Sequence, residues 1–250
     1  MPPFQSYLNP GVGSYSMWGH LLPYIEQEPL FTAATTLVSP GVYGWSDLSI
    51  RRSVVPLYAC PTRRNGVGGA IDYVGFWDDQ TPHRPVFSTR ASNNSSNPTG
   101  RSITLLAISG ADGTSNTILL GHKGMDPRNY QDTPQSMGHN TWWPGASSFG
   151  HLASEAGVSR VTTSPQRDAI DPTPDSVYAA SGCTPLSNSG NAPQGNCRAS
   201  NMITGSPHES MPVLWADGGV RSLRYGTPQA TYQALIFWRD GVPPDPDWMP

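Results

Sequence analysis

Apolar positions along this chain come in short bursts separated by turn formers, and their spacing changes along its length. Trp18, Leu21, Leu22, Ile25 and Leu30 recur at helical intervals that Pro23 and Pro29 interrupt. That pattern predicts a short helix starting near Pro23, with proline in its first turn. Val54 to Pro61 has strand-like content closed by a proline, and Ala70 to Trp77 alternates as a strand does. Ser92 to Gly100 reads as a surface loop on composition. Ser102 to Leu106 opens a new block, and the polar turn Asp112-Gly113-Thr114-Ser115-Asn116 then feeds the apolar run Ile118-Leu119-Leu120.

The clearest pattern is C-terminal. Ser206-Pro207-His208 leads into Leu214-Trp215-Ala216, an Asp217-Gly218 turn and a second strand through Leu223, which together predict a β-hairpin. A helix follows, with Thr227 as N-cap, Pro228 at its first position, Tyr232, Leu235, Ile236 and Phe237 on one face, and Gly241 placed to end it. Between about 125 and 211 turn formers dominate with scattered aromatics, which predicts an ordered, loop-rich excursion. No internal repeat or domain boundary stands out, so 1–250 reads as one domain.

Composition sharpens this picture. Charged residues are 13% of the chain, against roughly 25% in an ordinary soluble domain. With 26 glycines, 26 prolines, 8 tryptophans and 36% hydrophobic residues, the chain predicts a β-rich body with dense turns rather than disorder. Net charge is −3 with no basic run, which argues against a nucleic-acid partner. No apolar run approaches the roughly 18 residues of a membrane span. The start, Met1-Pro2-Pro3-Phe4, enters patterned sequence at once, as expected of a chain whose natural N-terminal segment has been removed.

Of three cysteines, Cys183 and Cys197 lie close together in a polar loop, where a disulfide would supply order; a pair of free thiols is the alternative. Cys60 is then left over, as a buried thiol or one whose partner lies elsewhere. The Asp112 to Asn116 segment, through Gly113, puts the oxygens of Asp112, Thr114, Ser115 and Asn116 in one turn, and these fit either a calcium ion or side-chain caps on that turn. His208 and Asp217 bracket a strand, yet neither Ser206 nor Ser210 has a nucleophile elbow, so a structural role is expected and no catalytic residue is assigned. The histidines (His20, His83, His122, His139, His151, His208) show no zinc spacing, so no metal ligand or cofactor is assigned. Trp142-Trp143-Pro144, near His139 and Phe149, is either an aromatic platform for a sugar face or partner, or core.

Five segments in order resemble a family abundant in planctomycetes, with a prepilin-type N-terminus, a C-terminal His-x9-Asp-Gly motif and no assigned activity; some collections give it as a bacterial solute-binding-like family. They are Trp18 to Gln27, Leu57 to Pro61, Asp72 to Gly75, Asp112 to Ile118, and His208 to Leu223 followed by Arg239-Asp240-Gly241. Here eight residues separate His208 from Asp217 instead of nine, and Gly121-His122 stands where the family usually has Gly-Glu. The resemblance implies an α+β, pilin-like antiparallel sheet packed on a helix, behind a cleaved, methylated leader and a long apolar helix absent here. Pro2-Pro3 matches a proline pair after that helix, and a cysteine near the helix end would be a partner for Cys60. The expected role is non-catalytic: a secreted, cell-surface or periplasmic pilin- or pseudopilin-like protein that self-associates or joins similar subunits. Membrane contact would come only through the missing helix. The alternative is an extracellular glycan- or solute-binding module using Trp142 and Trp143.

Overall fold

A computed structural model describes residues 5–6, 15–39, 42–43, 47–76, 103–125, 127, 130–131, 159–160, 164–169 and 204–242. The Ser92–Gly100 loop, most of the 125–211 excursion, the Cys183–Cys197 pair and the Trp142-Trp143 platform lie outside the described residues. Two units emerge: Met1–Asp72 with Thr89–Ser102 and Gln131–Val158, and Tyr73–Ser88 with Ile103–Tyr130 and Ser159–Pro250.

The first unit holds the short antiparallel pairs β1 (Gln5–Ser6) with β2 (Tyr15–Ser16) and β3 (Leu37–Ser39) with β4 (Val42–Tyr43). It also holds helices α1 (Met17–Leu21), α2 (Glu28–Thr35) and α3 (Leu48–Arg51). A 3-10 turn at Leu22–Ile25 carries Pro23 in its first turn, and Glu26 stops it at φ 62. Trp18 and Leu22 are buried there. The strand expected at Val54–Pro61 is instead a 3-10 turn at Pro56–Tyr58. Pro56 has no N–H to give a ladder, and the turn closes through Tyr58 N–H on Val55 C=O at 2.9 Å.

The second unit is built on a sheet of order β11-β10-β6-β5-β7. Here β5 is Tyr73–Phe76, β6 Ile118–His122, β7 Ser159–Arg160, β10 Met211–Trp215 and β11 Val220–Leu223. Four strands pair antiparallel, and β7 joins β5 in parallel. Beside it α4 (Leu105–Ser109) starts at Thr104, whose hydroxyl accepts the Ala107 N–H at 3.1 Å. A parallel pair, β8 (Gln166–Arg167) and β9 (Gly205–Ser206), leads towards the hairpin.

Period 2 decides which side of β10 is covered: Met211, Val213 and Trp215 are buried, and Pro212 and Leu214 only half so. The buried set packs with Ile118 and Leu223 against Tyr232, Leu235, Ile236 and Phe237. Those last four belong to, or just follow, α5 (Gln229–Ile236). The second unit thus has mixed α+β character, four antiparallel strands covered by a helix, as the family resemblance implied. The helix differs at both ends. Pro228, extended at ψ 142, is the N-cap, while the Thr227 hydroxyl donates to Arg224 C=O at 2.7 Å. At the other end Phe237 is already extended at ψ 122, well before Gly241. No described helix is long and apolar enough to cross a membrane.

Candidate functional site

The hairpin between β10 and β11 turns through three residues, not two. Gly218 N–H bonds Trp215 C=O at 3.0 Å, Trp215 N–H bonds Gly219 C=O at 2.9 Å, and Gly218 sits at φ +85. That is the three-residue loop with a left-handed glycine, so Asp-Gly fills its second and third places. Asp217 accepts the Gly219 N–H on Oδ1 at 2.8 Å and an Arg221 N–H on Oδ2 at 2.6 Å. The Gly219 bond, then Arg221, holds its carboxyl below the ordinary carboxylate value. The Arg221 guanidinium also lies 5.0 Å from the centroid of the buried Trp215 ring.

His208 stands at the other end of β10, so the fold does not bring it to Asp217. Its surroundings are set by Ser206 and Tyr225. The Tyr225 hydroxyl accepts the Ser206 N–H at 3.1 Å and has its one proton within reach of two acceptors, Ser206 C=O at 3.0 Å and Ser206 Oγ at 2.7 Å. Ser206 Oγ also bonds Ser210 C=O at 3.1 Å and accepts the His208 N–H at 3.3 Å. Buried and bonded in this way, the Ser206 hydroxyl shapes the turn and is not presented as a nucleophile. The His208 ring meets His122 of β6, with centroids 5.7 Å apart and planes at 86°. His122 is 4% exposed and also packs edge-on against Tyr73, its cross-strand partner, at 4.7 Å.

Asp112 does not cap its own turn. Its carboxylate reaches the far end of the chain and accepts the N–H groups of Asp240 at 2.9 Å and Gly241 at 3.2 Å. Gly113 precedes the Thr114–Asn116 turn at φ 92, and Asn116 donates to Asp112 C=O at 3.0 Å. Both Asp112 oxygens thus serve backbone donors, and among the described residues no three His, Cys, Asp or Glu side chains gather as a metal site.

In the first unit Cys60 is buried, and its N–H donates to Asp72 Oδ2 at 2.7 Å. The Arg64 fork grips the same carboxylate, Nε on Oδ2 at 3.1 Å and Nη2 on Oδ1, and Arg63 Nη1 lies 3.6 Å from Oδ1. All three side chains are fully buried. Tyr58 hydrogen-bonds Trp18 C=O through its hydroxyl, and burial pushes that hydroxyl above its ordinary value. Sequence reasoning missed Arg63, Arg64, Tyr225 and the meeting of His122 with His208. Adjacent arginines in a chain so poor in charge were the one local signal.

Residues 3–229 match the model of SBP_bac_10, a protein of unknown function (DUF1559). The chain belongs to that family. No curated protein and no solved structure shows significant similarity to it. Within this DUF1559 chain, the segments that carry the resemblance are tied to one another in pairs: Cys60 to Asp72, and Asp112 to Asp240 and Gly241.

Proposed function

We propose that this chain is the folded body of a secreted or cell-surface pilin-like protein whose role is structural or interactive, not catalytic. The observation that carries this reading is how its motif residues use their polar atoms. Asp72, Asp112 and Asp217 each accept main-chain N–H groups, and Ser206 is bound to Tyr225 and Ser210. A catalytic constellation keeps a nucleophile and a base aimed at one reacting atom. Here the carboxylates of Asp72, Asp112 and Asp217 are each occupied by main-chain N–H groups, with arginines added at Asp72 and Asp217. The glycine- and proline-rich, charge-poor composition suits an extracellular surface protein. Self-association, or assembly with similar subunits, follows from the pilin-like reading.

The test is on the natural full-length gene product in its host envelope. Mass spectrometry of its N-terminal residue, with location by immuno-electron microscopy, is expected to give a methylated, leader-cleaved end on an extended surface structure. An ordinary signal-peptidase end on a freely diffusing protein would overturn the reading.

A further inference from the structure

We propose that His122 and His208 form a two-imidazole binding site for a divalent first-row transition-metal ion. His122 comes from the end of β6 and His208 from the lead-in to β10, and only the strand order brings them together. A ligating imidazole nitrogen lies about 2.0–2.1 Å from zinc, which places its ring centroid roughly 3 Å from the ion and two such centroids at most about 6.5 Å apart. The observed separation is 5.7 Å. Rings this far apart lie within the span of one ion, each having to turn a nitrogen towards it. The near-perpendicular planes require only ring rotation, and the terminal torsion of histidine is broad.

The surroundings favour this chemistry. Imidazole suits zinc, copper and nickel, and a ligating ring keeps its second nitrogen for an orienting contact, so further partners of either histidine are compatible with the site. Tyr73 backs the buried His122 ring, and the Ser206–Tyr225 bonds fix the turn that carries His208. His208, only half-buried, gives the ion its way in, and water completes the coordination.

The experiment titrates the 250-residue chain with Cu²⁺ alone, reading affinity by calorimetry and nitrogen ligation by electron paramagnetic resonance. One ion per chain with two coupled nitrogens is expected. His208→Ala should weaken binding at least about tenfold and remove one nitrogen, with the near-ultraviolet circular dichroism unchanged. Undiminished binding in that variant, or no binding by the wild type, overturns the proposal. Should His208→Ala fail to fold, Cu²⁺ broadening of wild-type histidine ring resonances decides. Broadening confined to two histidines, His122 and His208, supports the site, and broadening elsewhere refutes it.

Discussion

A single carboxylate organises the first unit. Asp72 accepts from Cys60 N–H and from two nitrogens of Arg64, all buried, so it is a charge removed from water and retained by its partners. Such a cluster stabilises little in itself, but removing Asp72 strips Arg64 and Arg63 of their buried carboxylate, and removing Arg64 leaves Asp72 with Arg63 as its buried cation. Asp72→Ala is therefore expected to cost about 3–5 kcal/mol in urea unfolding, and Arg64→Leu a similar amount. The double variant should recover part of that loss, since the Arg64 charge is gone with its partner, but not all of it, because Arg63 and the Cys60 N–H still lose the Asp72 carboxylate. Full additivity of the two losses would contradict this account. Local pattern could not reveal the pair. The sequence around Cys60 suggests a strand, and Pro56 with Pro61 turns it into a bend that presents the Cys60 N–H to Asp72.

Among the elements, the β10–β11 hairpin was the most legible, because alternation and the Asp-Gly turn are both local signals. The extra loop residue was not, since two- and three-residue turns share the same glycine requirement. Gly218 at φ +85 has open space around a would-be Cβ, so its constraint is backbone conformation alone. Gly218→Ala should then destabilise by about 1–2 kcal/mol, measured by thermal melting. Asp217 adds a pH dependence. Its folded carboxyl titrates below the ordinary 3.8, so its stabilisation is complete above the unfolded value and is lost as pH falls through the folded one. Melting temperatures of the wild type and Asp217→Asn should differ at neutral pH and converge as pH drops below 3.8. A constant difference across that range would remove the carboxylate from the account. The closing helix shows the opposite limit of legibility. Its buried face was readable from period 3.6, but its start depended on Thr227 choosing Arg224 C=O over the helix N–H groups.

For the whole molecule, the decisive contacts are those between distant motif segments. Helix and strand patterns locate single elements, but long-range pairing is invisible to them: nothing near Asp112 announces Asp240, and nothing near His122 announces His208. The Asp112 contact separates a framework role from a chemical one. Removing its carboxylate hands the N–H groups of Asp240, half-buried, and Gly241, exposed, to water, at a cost of about 0.5–1.5 kcal/mol. If the motif is framework, Asp112→Ala in the full-length protein should lower the amount at the cell surface in step with its lost stability, because marginal stability governs abundance. What reaches the surface should assemble as the wild type does. Quantitative immunoblotting of surface fractions, set beside the melting temperature of the purified variant, reads both quantities. Normal abundance with lost assembly or lost ligand capture would instead place Asp112 at a working surface, and the interactive half of the proposal would then have a residue to start from.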